Sequence, residues 1–244
     1  MNVGSETETK YELDERGFER LKSAARIEKC TRQLNVYFDA NWILANRAAT
    51  FRIRFTPDAS PEATLKLPVA RNGATRTMKE IEVPLQTANR TLLPHRRLDV
   101  SRDLPFELAA EILRLGVKRL ERVGWMRNTR YVVSIESGGQ IELDRTTLPD
   151  GSTVFEAEIE SADVAIHRKL SQFILSNVPW ARPSLMSKFQ RFRKAAEAIN
   201  AREARTSGDV DRGNQKPDTE AESEKSMGRR LRNLFRLGRG GSKK

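Results

Sequence analysis

Glu6-Thr7-Glu8-Thr9-Lys10 sets two carboxylates and an ammonium on alternate positions, and this stretch decides how the chain is read. Side chains on a strand alternate between faces, so Glu6, Glu8 and Lys10 point the same way. Two adjacent carboxylates repel unless a cation lies between them, and a lysine beside them invites an anion. A face that takes both a divalent cation and a polyanion suits metal-assisted phosphate chemistry.

The alternation returns along the chain. Arg52 and Arg54 flank Ile53, Lys66 lies between Leu65 and Leu67, and Glu80 and Glu82 flank Ile81. Glu142 and Asp144 flank Leu143, and Glu156, Glu158 and Glu160 alternate in Phe-Glu-Ala-Glu-Ile-Glu. One face of these strands is charged and the other apolar. An ordinary solvated face mixes Thr, Ser, Gln and Lys, whereas these strands are sorted into acidic and basic ones. A sheet closed on itself accounts for the sorting, with the charges lining its lumen and the apolar face packed under helices.

Strands are expected at residues 5–13, 32–39, 49–56, 63–68, 76–83, 126–136, 139–144 and 153–161. Asp58-Ala59-Ser60-Pro61, Arg71-Asn72-Gly73 and Pro149-Asp150-Gly151 mark turns between them. Helices are expected from the Asp14 cap to about Lys29, from Leu104 behind an Asp103 cap to about Val117, and over 162–176 and 184–202. Seven or eight strands without regular βαβ alternation predict an α+β, mainly β fold: an antiparallel barrel or tunnel with surrounding helices. The predicted division is a domain over 1–202, a disordered linker over 203–226 and a basic amphipathic tail over 227–244. That tail sets Arg229, Arg230, Arg232, Arg236 and Arg239 around Leu231, Leu234, Phe235 and Leu237, a composition suited to anionic membranes or other polyanions.

Composition narrows the partner. The 244 residues are 38% hydrophobic, enough for one core of roughly 150–200 residues. The formal net charge of +11, from 44 basic and 33 acidic residues, favours polyanions. A single cysteine, Cys30, leaves no internal disulfide or cysteine-based zinc site and suits a reducing cytoplasm. His95 and His167 stand in no ligand-spaced motif, so a His-rich metal site or a Ser-His-Asp triad has no support. No apolar run spans a membrane, no secretory leader is visible, and no P-loop, HExxH or GxSxG occurs.

Taken in order, these motifs resemble the CYTH domain, or triphosphate tunnel metalloenzyme, family. Glu6-Thr7-Glu8-Thr9-Lys10 looks like its ExExK strand, and Gln33-Leu34-Asn35-Val36-Tyr37-Phe38-Asp39 its Asn-x-Tyr-Phe-Asp-like segment. Arg52-Ile53-Arg54 resembles its RxR strand, Leu65-Lys66-Leu67 its lysine strand, Glu80-Ile81-Glu82 its second ExE, and 155–160 its final acidic strand. The resemblance covers roughly residues 4–195 and implies an eight-stranded antiparallel tunnel acting on triphosphates with Mg²⁺ or Mn²⁺.

By this resemblance Glu6, Glu8, Asp144, Glu156 and Glu158 are metal ligands, and Glu6, Glu8, Lys10 and Glu158 carry the catalysis. Lys10, Arg52, Arg54, Lys66 and Arg130 hold phosphate oxygens, Glu80 and Glu82 line the lumen, and Lys188 resembles a lysine on a helix that closes over the substrate. Many members carry Lys-x-Arg where this chain has Asn128-Thr129-Arg130. Arg127 would face outward unless a bulge turned it, and Arg76 is a second candidate to restore the charge. The first expectation is a metal-dependent inorganic triphosphatase, cytoplasmic and often dimeric in this family, with its tail at a membrane surface. The alternatives are a class IV-like adenylate cyclase, a thiamine or RNA 5′-triphosphatase, and a non-catalytic polyphosphate or nucleotide sensor.

Overall fold

The computed structural model describes residues 2–57, 59–85, 96–136, 138–161 and 163–208, the side chains of 2, 5, 6 and 200–208 excepted. Residues 203–208, the start of the expected linker, are helical, and the rest of the linker and the tail lie outside the described residues.

The strands are β1 (Asn2–Leu13), β2 (Arg26–Asp39), β3 (Thr50–Phe55), β4 (Glu62–Asn72), β5 (Thr75–Pro84), β6 (Arg97–Asp99), β7 (Arg119–Ser134), β8 (Gln140–Thr147), β9 (Thr153–Glu160) and β10 (Arg182–Pro183). The helices are α1 (Glu15–Ala24), α2 (Ile43–Asn46), α3 (Val100–Asp103), α4 (Phe106–Arg114), α5 (Val164–Asn177) and α6 (Lys188–Gly208). Eight strands follow the order β1-β5-β4-β3-β2-β7-β8-β9, and β9 pairs back onto β1. Every pairing in this ring is antiparallel, so the expected closed barrel is present. Closure depends on β1, whose Glu8 lies opposite Arg76 on one side and Glu160 on the other.

Strand alternation separates two chemistries. On β3, Phe51, Ile53 and Phe55 are buried outside the ring while Arg52 and Arg54 face the lumen. Those phenylalanines and Ile53 pack with Leu65, Ile81 and the α4 residues Leu108 and Ile112. On the opposite flank Leu143, Ala157 and Ile159 pack under Phe18 and Leu21 of α1 and Leu170 and Ile174 of α5. A third cluster, of Tyr37, Met126, Leu148, Phe189 and Phe192, seats α6 against one end of the tunnel. Phe189 and Phe192 both stack on Tyr37, with ring centroids 5.0 and 5.2 Å away.

Several element boundaries differ from the sequence expectation: β7 begins at Arg119 rather than 126, β4 runs on to Asn72, and three helices are changed. α1 stops at Ala24 rather than near Lys29, because Arg26 onward pairs with β7 from Arg26↔Ser134 to Asp39↔Glu121. Ile27, Cys30 and Thr31 suit a strand, and this pairing outweighs the local helical pattern. The helix expected from Leu104 to about Val117 is the shorter α4, which begins after Pro105; Asp103 does not cap it but ends a separate short helix, α3, capped by Asp99. A proline blocks helix at the residue before it, so Leu104 takes an extended backbone. α6 runs to Gly208, past the expected end near Arg202, through a good helix-forming stretch that ends at glycine. No described helix is long and apolar enough to cross a membrane.

Gly124 permits the seating of α6. Its φ is 147°, and a Cβ there would lie 2.7 Å from Phe192 Cζ. We expect Gly124→Ala to cost about 1–3 kcal/mol by overpacking and backbone strain. Urea unfolding measures this, and an unchanged midpoint would mean that α6 is not seated through Phe192.

Candidate active site

The tunnel encloses a cavity of about 850 Å³ whose lining includes Glu8, Lys10, Arg52, Arg54, Lys66, Arg76, Glu80, Glu82, Arg130, Glu142, Glu158 and Lys188. Its acidic wall comes from β1, β8 and β9, where successive inward positions are Glu8 and Lys10, Glu142 and Asp144, and Glu156 and Glu158. Glu158 is the hub. It meets Lys10 Nζ at 3.1 Å, Arg130 Nη2 at 3.0 Å and the ammonium of Lys188. Arg130 also grips Asp144 bidentately, through Nε at 2.9 Å and Nη2 at 2.6 Å, and contacts Glu142. Lys10 completes the wall with Glu8 at 3.0 Å.

Burial would raise every carboxyl pKa here, and the cations decide which groups escape it. Burial opposes ionisation of Glu158, but Lys10, Lys188 and Arg130 hold it well below the usual carboxylate range. Burial likewise opposes Asp144, yet Arg130 and Lys188 bring it down to about 2. Glu142 and Glu156 go the other way, because burial outweighs Arg130 for the first and Lys188 for the second. Lys10 is buried, which favours its neutral form, but Glu158, Glu8 and Glu156 hold its pKa well above the ordinary ammonium value.

The donor set fits a hard divalent cation. Glu8, Glu158 and Glu160 offer oxygens within 4.8 Å of one another, and so do Glu142, Asp144 and Glu158. Both Glu156 oxygens are buried with no hydrogen bond, only the looser approach of Lys188 and Arg191 at 3.5 Å, which leaves lone pairs for an ion to satisfy. Glu6 takes its place in the β1–β5 ladder opposite Met78, but its side chain lies outside the described residues.

The basic wall comes from β3, β4 and β5. Lys66 pairs with Glu80 at 3.0 Å, and Arg52 lies 3.8 Å from the same carboxylate. Arg54 donates to Asn35 Oδ1 at 3.3 Å and lies 3.8 Å from Glu62. Burial, with Arg52 and Arg130 nearby, lowers the Arg54 pKa to about 10, so the guanidinium stays charged at neutral pH while lacking full compensation. Arg76 stands at the tunnel mouth and donates to the Leu185 carbonyl at 2.5 Å. Lys188, at the start of α6, joins Asp144, Glu156 and Glu158, and so enters from outside the ring.

A family model for the CYTH domain matches residues 4–192. The chain belongs to the CYTH domain family. Among solved structures, the adenylyl cyclase candidate HpAC1 from Hippeastrum, described as having a dominant triphosphatase activity, is 23% identical with a TM-score of 0.67. The match covers 78% of this chain and 95% of that one. An adenylate cyclase candidate from Bacillus halodurans is also 23% identical, with a TM-score of 0.65 over 79% of this chain and 99% of its own. PH1819 from Pyrococcus horikoshii follows at 17% identity and a TM-score of 0.54, over 78% and 98% of the two chains. No curated protein sequence matches.

Within this CYTH tunnel the departure at Asn128 has a local account. Its amide donates to Asp144 Oδ1 at 2.8 Å and Gln33 Oε1 at 3.2 Å, while its carbonyl accepts from Thr146 Oγ1 at 3.0 Å. A buried neutral amide, hydrogen-bonded to the Asp144 carboxylate and to neutral partners, therefore stands where a cation was expected. Arg127 is exposed, with its guanidinium 5.6 Å over the Trp125 ring, and does not restore the charge. Charge alternation gives no site role to Gln33, Asn35 and Tyr37, although they stand in the family-like segment, nor to Thr146. The same i, i+2 alternation that selected the charged residues also places Gln33, Asn35 and Tyr37 on one face. Asp39, the end of the family-like segment, is a structural group: its carboxylate accepts from the amides of Ala40, Leu44 and Ala45 at 2.6, 2.9 and 3.0 Å.

Proposed function

We propose that this CYTH protein hydrolyses a phosphoanhydride of triphosphate compounds in the tunnel, with inorganic triphosphate as its first substrate and Mg²⁺ or Mn²⁺ as its cofactor. The facing of one acidic and one basic wall across a single cavity carries this reading. A triphosphate holds roughly four to five charges near neutral pH, which a low-dielectric tunnel accepts only against several fixed cations. Arg52, Arg54 and Lys66 grip its oxygens, with arginine supplying forked contacts and lysine a compact charge. Glu80 orients Lys66 and Arg52 between turnovers. Glu8, Glu156 and Glu158, with Asp144 and the undescribed side chain of Glu6, hold the divalent ion. When bound, the ion supplies charge neutralisation at the phosphate oxygens and at an attacking water. Lys10 and Arg130 fix the carboxylates that face it, and Lys188 brings a further cation to the reacting end.

The triphosphatase activity described for the Hippeastrum protein, which shares the fold, agrees with this reading. A cavity of about 850 Å³ also has room for a nucleoside, which favours a class IV-like adenylate cyclase as the second reading. Purified protein incubated with triphosphate, ATP and thiamine triphosphate, in Mg²⁺ and in Mn²⁺, tests both. Orthophosphate from triphosphate supports the first, cyclic AMP with pyrophosphate supports the second, and no product from any substrate would overturn both in favour of a sensor.

The raised Glu142 and Glu156 pKa values predict a pH signature. Both groups take up protons at a higher pH than exposed carboxylates, so acidification should weaken Mn²⁺ binding before ordinary glutamates titrate. For the metal-free protein the stability change has the opposite sign. A raised carboxyl pKa destabilises the charged folded state, so stability rises as the pH falls toward those values. It then declines as the pH falls through the unfolded carboxylate value toward the Asp144 value of about 2. Calorimetric Mn²⁺ titration and urea unfolding at a series of pH values follow the two effects separately. Affinity that is flat from neutral pH down to the ordinary glutamate range would remove Glu142 and Glu156 from ion binding.

A further inference from the structure

Lys188 reaches the acidic wall only if α6 stays across the end of the tunnel, and the approach to that helix is tied down on both sides. β10 pairs with β1 at Tyr11↔Pro183 and Glu12↔Arg182, and the Ser184 amide donates to the Lys10 carbonyl at 2.7 Å. From the other side, Arg71 and Arg76 donate to the Leu185 carbonyl at 3.1 and 2.5 Å. Ser187 and Gln190 form a reciprocal capping box, with each backbone amide donating to the other's side chain at 2.8 and 3.1 Å. These contacts fix where α6 starts, but they leave its direction open.

Arg191 supplies the direction. It lies three residues after Lys188, and side chains three apart share a helix face. Its guanidinium contacts Glu12 on β1, donates from Nη2 to Ser184 Oγ at 2.9 Å, and brings Nε within 3.5 Å of Glu156. Ser184 Oγ in turn donates to Glu12 at 3.0 Å, which closes a triangle of helix, strap and strand. Lys188 thus enters the wall between this tie and the stacked rings of Phe189 and Tyr37.

We propose that Arg191 is a positioning residue, which acts through Glu12 and Ser184 to hold α6 so that Lys188 stays in the acidic wall. Its effect on turnover passes through Lys188 and not through the substrate. The kinetic part of the test rests on the hydrolase reading; the structural part does not.

The kinetic test is a double-mutant cycle on the full chain with triphosphate and Mg²⁺. Arg191→Ala should lower kcat/KM about ten- to a hundredfold, the scale of a misplaced catalytic group. It should also share the kcat-against-KM split of Lys188→Ala, and the double variant should be no worse than Lys188→Ala alone. Arg191→Lys, which keeps the charge toward Glu12, should recover part of the loss. Multiplying effects in the double variant would overturn the proposal and make Arg191 a direct substrate contact; wild-type kinetics in Arg191→Ala would overturn it as well. Hydrogen exchange without substrate supplies the independent arm. Arg191→Ala should speed amide exchange over 184–195 while β8 and β9 keep their protection, and unchanged exchange over 184–195 would refute the tie even if no substrate is turned over.

Discussion

Glu158→Gln should lower triphosphate turnover about a thousandfold while the barrel still forms. Glutamine keeps the shape of the side chain but removes the charge shared by Lys10, Arg130 and Lys188. It also weakens both oxygen clusters suited to a cation, since Glu158 belongs to each. Loss of a preorganised charge at a reacting centre costs about a hundred- to a thousandfold, and loss of an ion ligand adds to it. Glu8→Gln should act in the same direction. Turnover measured beside circular dichroism and Mn²⁺ affinity separates chemistry from folding. A Glu158→Gln enzyme within tenfold of wild type would refute the assignment of the acidic wall.

Arg130→Ala should be the most damaging substitution for stability, at about 3–5 kcal/mol, the cost of breaking a buried pair from one side. Asp144 is fully buried and takes two of its hydrogen bonds from this guanidinium, and Glu142 and Glu158 face the same group. The alanine would leave these carboxylates with Lys188, Lys10 and the Asn128 amide, without their shared guanidinium. Adding Asp144→Asn should cost less than the sum of the two single changes, because the stranded charge is removed with its partner. Urea midpoints for the four proteins measure the coupling, and strict additivity would show that the pair contributes nothing of its own.

The barrel was legible because alternation is a short-range signal with long-range meaning. Phe51-Arg52-Ile53-Arg54-Phe55 states which face is buried, and several such strands of sorted sign leave a closed lumen as the consistent arrangement. The inward placement of Glu8, Lys10, Asp144, Glu156 and Glu158 follows from the same rule. Pairings were not legible, because nothing local announces that Arg130 chooses Asp144 and Glu158, or that Glu80 serves Lys66 and Arg52. The Arg26–Lys29 stretch misled because its helical spacing continues that of α1, and only the partner strand β7 settles it. Arg191 was hidden for a related reason: its function lies in contacts with Glu12 and Ser184, remote from it along the chain or on another element. The Ser187-Lys188-Phe189-Gln190 capping box, by contrast, could have been read directly.

The double pairing of β1 has a consequence for the order of assembly. Its partners are β5, which ends at Pro84, and β9, which ends at Glu160, so the first strand made is tied to one of the last. During synthesis Glu8 and Lys10 must wait in an incomplete sheet until β9 emerges, and contacts this remote in sequence close slowly. Ring closure and completion of the acidic wall are then one event, since Lys10 meets Glu158 across that last seam. A chain arrested before β9 would therefore keep its basic wall beside an acidic wall that lacks Glu156 and Glu158, and Lys10 would be left without its Glu158 partner: an anion trap with its counter-charge incomplete.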